Sequence, residues 1–444
     1  MRSITSYNPA TQRPLGERTV TSTQEIHKLV QLAHGAKKHW GEMGFEKRAT
    51  LIKAAYRKIL SKKDEFAQLI NDEMGKTLTE AITEVTYYGG SIERLTKEIT
   101  TALSPQIIDD GVMKTQLFYD PLGVAACISP WNFPFGMPHT LMIPTLMAGN
   151  TVCFKPSEET LLIGEFYAQV LQEFLPENVL NLVYGDGEQG KVLVESNVQL
   201  ITFTGSVATG KKILQEASKS LKRVVLELGG KDPLIILEDA DLKSAAKFAA
   251  HNSCRNAGQV CVSTEQIFIL PNLRQEFEKL IVEEIKKMEI GPMIHRKQKQ
   301  HIIDQIDDAL KKGAKILYGE VNRDESNYLS PIILTDCTID MSIIKDETFG
   351  PVACIVPVKN VDEAIEFSNK SDYGLGGSVF SKNVEKAQEI ARKLDTGMVG
   401  INRGPGGAAG SPWVGAKQSG YGHHGYESGH RQFAQLRTVN FQYK

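Results

Sequence analysis

Cys261, one of six cysteines, lies in a short polar segment, NAGQVCVST at residues 256–264, that leads into the apolar run at 267–270. A thiol becomes a nucleophile once it loses its proton, so a cysteine in a polar turn can do covalent chemistry. A cysteine inside an apolar strand usually serves as a small hydrophobic side chain. We expect that second role for Cys127, Cys153, Cys337 and Cys354.

A possible phosphate site lies in ITFTGSVATGKKI at residues 201–213, where a β-type run meets Gly205 and Ser206 and a helix is predicted to begin. Backbone N–H groups at a helix start, the helix dipole and the Ser206 hydroxyl could together hold a phosphate. The alternative is that Ser206 only caps the helix and binds no ligand.

Two Gly-x-Gly-x-x-Gly patterns occur, at residues 185–190 and 420–425. Only the first follows a predicted strand and could open a helix, which is the context of the dinucleotide-binding fingerprint. No acidic residue ends a strand about 20 residues further on, and a chain with 38 glycines contains such spacings by chance. The pattern alone therefore does not establish a nucleotide site.

The elements that would position these residues alternate between strands and helices. Residues 22–100 are predicted to be helical, with apolar side chains such as Ile26, Leu29, Val30 and Ala33 at helical spacing. Short β-type runs then alternate with helix-length segments; they lie at 124–128, 151–155, 179–184, 200–204 and 223–228. This alternation predicts an α/β fold with a doubly wound parallel sheet, and a second alternating region from about residue 229 to 430 predicts a second α/β domain.

Composition restricts the function. The 444 residues include 51 basic and 53 acidic side chains, a net charge of −2, which argues against nucleic acid or a membrane surface as the main partner. No signal-like or membrane-spanning run is present, so a cytoplasmic location with reduced thiols is the expectation. No Cys or His cluster has zinc-site spacing, so no metal is expected.

Six short motifs are shared, in order, with one known family. They are PWNFP at 130–134, FKPSE at 154–158, FTGS at 203–206, LELGGK at 226–231, GQVC at 258–261 and ETFGP at 347–351. Together they resemble the aldehyde dehydrogenase superfamily over nearly the whole chain. NPAT at 8–11 and the short N-terminus resemble the bacterial branch that includes succinate-semialdehyde dehydrogenases.

The resemblance implies oxidation of an aldehyde to the carboxylic acid by NAD or NADP. It makes Cys261 the nucleophile that forms a thiohemiacetal and then a thioester, and Glu227 the general base. The side-chain amide of Asn132 would stabilise the oxyanion. Gly258 is expected to leave room beside Cys261 for the reactants.

The resemblance also implies a cofactor site, made by Trp131, Lys155, Pro156, Ser157, Glu158, Gly205, Ser206, Leu228, Glu347 and Phe349. Within it, the Glu158 carboxylate would accept hydrogen bonds from a free ribose 2′-hydroxyl but repel a 2′-phosphate. The expected cofactor is therefore NAD, with NADP possible.

The substrate is implied less sharply. Relatives that act on semialdehydes hold the distal carboxylate with two arginines; here the corresponding positions are Thr140 and Arg255. Arg255 remains consistent with a semialdehyde or another polar aldehyde as substrate. Trp413 occupies a position where relatives often have phenylalanine. A CoA-acylating dehydrogenase and a catalytically idle binding protein on the same scaffold are the alternatives, although Cys261, Glu227 and Asn132 are all present.

The expected organisation has three parts: an NAD-binding domain at 1–105 and 121–228, a catalytic domain at 229–430, and a small β oligomerisation arm at 106–120 and 431–444. Isolated strand edges are usually covered. The expected assembly is therefore a homodimer or homotetramer, built by exchange through the arm.

Overall fold

A computed structural model describes residues 2–442. Its strands are β1 (Ser3–Tyr7), β2 (Pro14–Thr19), β3 (Gln106–Asp109), β4 (Met113–Pro121), β5 (Val124–Ile128), β6 (Thr151–Lys155), β7 (Leu180–Leu182), β8 (Leu200–Thr204), β9 (Arg223–Glu227), β10 (Asp232–Ile236), β11 (Thr264–Ile269), β12 (Lys315–Tyr318), β13 (Ile332–Thr335), β14 (Val352–Pro357), β15 (Ser378–Phe380), β16 (Gly400–Ile401), β17 (Trp413–Val414), β18 (Gly420–Tyr421), β19 (His423–His424) and β20 (Ala434–Gln442). Its helices are α1 (Thr23–Glu42), α2 (Phe45–Ser61), α3 (Lys63–Met74), α4 (Leu78–Gly90), α5 (Ile92–Leu103), α6 (Gly136–Met147), α7 (Leu161–Gln172), α8 (Gly187–Glu195), α9 (Val207–Ser218), α10 (Leu242–Cys254), α11 (Pro271–Ile285), α12 (Arg296–Lys311), α13 (Ser342–Lys345), α14 (Val361–Asn369), α15 (Val384–Ala391) and α16 (Tyr426–Arg431).

A six-stranded sheet of order β18-β9-β8-β5-β6-β7 forms the centre of the first half of the chain. Its strands from β9 to β7 run parallel, and all residues of β5, β6 and β8 are buried. Strands covered on both faces are continuous apolar runs, which is why these three stand out in the sequence. Helices cover both faces, with α2, α3 and α7 contributing to the core on one side and α1, α8 and α9 on the other.

A seven-stranded sheet of order β12-β13-β14-β11-β10-β15-β16 organises the second half. Only β12 runs antiparallel to its neighbour. The doubly wound α/β prediction is thus confirmed in both regions. One short strand differs: β18 lies within residues 229–430 but pairs with β9 of the first sheet.

The third sheet is antiparallel and has the order β20-β4-β3. β20 pairs with β4 along its whole length, from Ala434 opposite Pro121 to Gln442 opposite Met113. The sheet presents exposed apolar side chains, among them Ile107, Ile108 and Phe441. Residues 443 and 444 of the predicted arm lie outside the described residues.

All six cysteines carry free thiols. Across residues 2–442, helices that combine the length and the apolar character needed to cross a membrane do not occur.

Candidate active site

A cavity of about 250 Å³ lies beyond the carboxyl ends of β5, β8 and β9. Its walls include nine of the predicted site residues: Trp131, Asn132, Gly205, Ser206, Glu227, Leu228, Cys261, Glu347 and Phe349. A larger open groove, of about 560 Å³, lies near Pro121, Lys222 and Gln435 and contains none of them. The smaller cavity is therefore the candidate active site.

The turn before Cys261 has an unusual backbone. Asn256, Ala257 and Gly258 all have positive φ angles, 52°, 55° and 70°. A Cβ on Gly258 would fall 2.0 Å from the carbonyl oxygen of Gly350. The expectation that Gly258 leaves room for reactants is therefore wrong, because the glycine is required by the close approach of the segment that carries Glu347 and Phe349.

Asn132 is buried beside this turn. Its side-chain Nδ2 donates to the backbone carbonyl of Gln259 at 3.1 Å. The backbone carbonyl of Asn132 accepts a hydrogen bond from the Asn256 side chain, also at 3.1 Å. An amide nitrogen carries two hydrogens, so one remains for an oxyanion while the other fixes the side chain.

Glu227 ends β9 and is buried. Its Oε1 accepts a hydrogen bond from the Trp413 indole at 3.3 Å, and its buried Oε2 has no hydrogen-bond partner among the described residues. Burial raises the pKa of this carboxyl, while hydrogen bonds from Cys261, Trp413 and Thr204 act in the opposite direction. A base with a raised pKa accepts a proton more readily.

Cys261 is held as a neutral thiol. Burial raises its pKa well above the usual range, and the Glu227 carboxylate raises it further by charge and by hydrogen bonding. Because only the thiolate attacks carbonyl carbon, the proton must be removed as the bond forms. Glu227 lines the same cavity, near enough for its charge to raise the thiol pKa, and is therefore placed to take the proton.

The cofactor candidates in the cavity come from four segments, three that follow β5, β8 and β9 and one that precedes β14. Ser206 caps α9 by accepting from the Thr209 N–H at 3.3 Å, so the capping role is present whether or not a phosphate binds. Trp131 and Phe349 meet edge to face, with ring centroids 5.5 Å apart. The Glu347 carboxylate accepts a hydrogen bond from the Gly230 N–H at 2.9 Å. Its pKa is raised to about 8, mainly by burial and secondly by the charge of nearby Glu265.

The remaining cofactor candidates lie at the carboxyl end of the neighbouring strand β6 and do not line the cavity. Lys155 is the last residue of β6, and Pro156, Ser157 and Glu158 follow it. Lys155 and Glu158 form an ion pair at 3.4 Å, with the lysine buried and 40% of the glutamate side chain exposed. Ser157 accepts from the Glu159 N–H at 3.3 Å.

Arg255 also lies outside the cavity wall. Its Nε donates to Asn252 at 3.3 Å, burial lowers its pKa, and the charges of Cys261, Tyr88 and Glu80 act in the opposite direction. Thr140 donates its hydroxyl to the Met137 carbonyl at 2.9 Å.

Two buried ion pairs that the motifs do not reveal support the site. Lys231 and Glu265 are 2.5 Å apart, and Glu265 accepts from the N–H groups of Thr348 and Phe349 at 2.8 and 2.9 Å. This pair fixes the segment that carries Glu347.

The second pair, Lys76 and Glu84, is also 2.5 Å apart. Glu84 accepts from the N–H groups of Phe135 and Gly136 at 3.0 and 2.9 Å, just beyond Asn132. The sequence does contain one signal for this pair: the carboxylate of Glu84 stands between Ala81 and Val85 on the apolar face of α4. The cavity wall also includes Met137, Gln298 and His301, which the motifs did not indicate.

Comparison with known proteins identifies the family. The family model described as "Aldehyde dehydrogenase family" matches residues 1–439. The chain belongs to the aldehyde dehydrogenase family. The resemblance of the six motifs and the expected fold are thereby confirmed.

Relatives of this aldehyde dehydrogenase include a probable succinate-semialdehyde dehydrogenase [NADP(+)] of Sinorhizobium fredii, 31% identical over 98% of this chain and 91% of the relative. A crystal structure of an NAD-dependent aldehyde dehydrogenase from Sinorhizobium meliloti is 30% identical, with a TM-score of 0.95 over 99% of this chain and 92% of that one. An NADP-dependent glyceraldehyde-3-phosphate dehydrogenase from Bacillus halodurans, complexed with NADP, is 33% identical, with a TM-score of 0.95 over 99% and 96%.

This aldehyde dehydrogenase is thus an NAD(P)-dependent oxidoreductase that converts an aldehyde to the acid. The position of the cavity suits a dinucleotide cofactor, because the cavity lies where the strand order reverses, between β5 and β8. Ligands of open α/β sheets bind at such a switch point. The residues following β5 and β8, with the start of α9, would hold the cofactor.

Proposed function

We propose that this enzyme oxidises a semialdehyde or another polar aldehyde, through a covalent thioester on Cys261. The observation that carries the proposal is the convergence of a thiol, a buried carboxylate and a fixed amide on one cavity, from Cys261, Glu227 and Asn132. Each group has the chemistry that one step of the reaction requires.

In the first step the Cys261 sulfur bonds to the carbonyl carbon and its proton passes to Glu227. The Asn132 amide and the Cys261 backbone N–H donate to the oxyanion, and such a donor typically contributes about 10²- to 10³-fold to turnover. When bound, the nicotinamide ring supplies the two-electron acceptor that oxidation requires. Glu227 releases the thiol proton to solvent and then takes a proton from the water that attacks the thioester. The carbon–sulfur bond breaks, and that proton passes to the departing thiolate.

The alternative, acyl transfer to CoA, is less well supported because Glu227 is present to activate water. The deciding experiment follows NADH absorbance with a panel of aldehydes, with and without CoA. Turnover that requires CoA would overturn the proposal, as would the absence of NAD(P)-dependent turnover with every aldehyde.

We further propose that Arg255, the one arginine at the two anchor positions, gives a preference for aldehydes that carry a distal carboxylate, although it does not line the cavity itself. We expect kcat/KM for a four-carbon aldehyde ending in a carboxylate to exceed that for its neutral methyl ester about 10- to 100-fold, the range of one charge-assisted hydrogen bond. Arg255→Met should remove the difference, and Arg255→Lys should keep part of it. Equal kcat/KM values for acid and ester in the wild type would refute this assignment.

We also propose a preference for NAD, based on Glu158. A carboxylate 40% exposed at the end of β6 accepts hydrogen bonds from a ribose diol and repels a phosphate. Glu158→Ser should shift the NAD-to-NADP ratio of kcat/KM toward NADP by about 10-fold or more. Since relatives use either cofactor, the ratio measured for the wild type decides the matter; a clear preference for NADP would contradict it.

The third sheet supports a homodimer or a homotetramer, because it exposes several large apolar side chains and such surfaces often lie in an interface between copies. We expect light scattering at micromolar concentration to give a mass of two or four 49.1 kDa chains. Deleting residues 435–444 should lower this mass or make the protein insoluble. A monomer mass for the full chain would contradict the proposal.

Six free thiols are consistent with a reducing compartment, and we propose the cytoplasm.

A further inference from the structure

A strap of residues 413–421, comprising β17, a 3₁₀ turn and β18, joins the two halves of the molecule at the active site. Ala416 N–H donates to the Gly374 carbonyl at 2.8 Å, and Gly374 N–H donates to the Ser419 hydroxyl at 2.9 Å. On the other side, Leu228 N–H donates to the Ser419 carbonyl at 3.0 Å. The strap is therefore tied by its backbone both to the second domain and to the residue that follows Glu227.

The strap also reaches the Glu227 carboxylate directly. Gly420 of β18 lies opposite Glu227 in the antiparallel register, and Trp413 at the start of the strap donates its indole N–H to Glu227 Oε1 at 3.3 Å. The strap thus holds the backbone and the side chain of the same residue. Neither contact is encoded by the LELGG motif.

The Trp413 ring is itself held in place. It stacks on His424, its register partner in β19, with an angle of 11° between the planes and 6.4 Å between centroids. Its other contacts are with a small apolar cluster of Val260, Val262, Leu375 and Met398, against which Cys261 and Phe133 also pack. One buried cluster therefore supports the indole and the reacting cysteine together.

We propose that Trp413 is a positioning residue that holds one oxygen of Glu227, so that the other oxygen is available to take a proton from the hydrolytic water. The inference rests on the proposed role of Glu227 as general base. In the step concerned, the water oxygen bonds to the acyl carbon and the carbon–sulfur bond breaks. The water proton goes to Glu227, and from there to the departing thiolate.

The groups that face Glu227 determine the direction of the expected effect. The Trp413 indole donates a hydrogen bond to the Glu227 carboxylate, and His424 lies behind the indole. The other groups close to the carboxylate are Cys261, Thr204, Tyr88 and Glu347. Burial is the main influence and raises the Glu227 pKa; the indole opposes it. Removing the indole N–H should therefore raise the pKa further, and the base would become active only at higher pH.

The test uses the cofactor-free enzyme and p-nitrophenyl acetate, which acylates a cysteine without any oxidation. The initial burst of nitrophenolate counts acylated sites, and the steady rate that follows measures hydrolysis of the acyl enzyme. In Trp413→Phe we expect an unchanged burst amplitude and an acidic limb of the steady rate shifted up by about half to one pH unit. Well above the limb the rates should converge with those of the wild type.

Tyr421→Phe is the matched control, because Tyr421 lies on the same strap and is 57% exposed. Its profile should coincide with that of the wild type. Trp413→Leu, which also lacks the N–H, should reproduce the shift seen in Trp413→Phe, with all rates normalised to the burst.

Coincident profiles for wild type, Trp413→Phe and Trp413→Leu would overturn the inference. Loss of the burst in both Trp413 variants would overturn it as well, since Trp413 would then be needed for the fold or for acylation. Failure of the proposed function is distinguishable, because the wild type itself would then show no burst and no aldehyde oxidation.

Discussion

Cys261→Ala is expected to abolish NAD-dependent aldehyde oxidation while the protein remains folded and binds NAD. The substitution removes the only protein atom that forms a covalent bond to the substrate in the proposed mechanism, and loss of a nucleophile typically costs about 10⁴- to 10⁶-fold. Cys261 is only partly buried, at the edge of a small cluster, so its removal leaves the sheets intact. NADH absorbance measures turnover, and quenching of protein fluorescence measures NAD binding.

Cys354→Ala is the control for that experiment. Cys354 is a free, buried thiol of β14, where it has the packing role expected of most of the cysteines. This variant should lose some thermal stability and keep turnover per folded molecule. Cys261→Ala turnover above about a thousandth of the wild-type value would contradict the assignment of the nucleophile.

Glu227→Gln is expected to stop the reaction after one turnover. The amide has the shape of the carboxylate but accepts neither the thiol proton nor the water proton. The thioester should therefore form slowly, with the thiol proton lost to solvent, and then persist. We expect one NADH per active site in a slowed first phase and a steady rate lower by about 10²- to 10⁴-fold. The exposed variant Glu283→Gln should behave as wild type.

The pH dependence provides a second test of the same residue. Burial raises the Glu227 pKa, so the deprotonated base is lost as the pH falls through that raised value. The wild-type rate should therefore rise with pH along a limb centred above the usual carboxylate range, and Glu227→Gln should lack this limb. An identical limb in both proteins would assign it to another group.

The central strands were predictable because strands that are buried on both faces consist almost entirely of apolar residues. The runs at 124–128, 151–155 and 200–204 became β5, β6 and β8 with the same bounds. β18 was not predictable, since a two-residue Gly–Tyr strand has no periodicity and forms only because it meets β9. The resulting strap is a tertiary feature, visible only once both large sheets have formed.

The site divides in a similar way. Cys261, Glu227 and Asn132 lie in motifs whose residue types match their chemistry, and the structure brings all three to one cavity. The ion pair of Lys231 and Glu265 joins residues 34 positions apart. The hydrogen bond from Trp413 to Glu227 joins residues 186 positions apart. A single sequence shows the residue types of such pairs but not that they meet. The same limit explains Gly258, whose requirement comes from Gly350, far away in the chain.

The most direct test of a covalent route through Cys261 is a mass measurement. Glu227→Gln, mixed with a substrate aldehyde and NAD and quenched in acid, should gain the mass of one acyl group, which peptide analysis should place on Cys261. Without NAD the acyl mass should be absent, because a thioester requires oxidation. A protein that reduces one equivalent of NAD yet shows no acyl group on Cys261, or carries it on another residue, would contradict the mechanism.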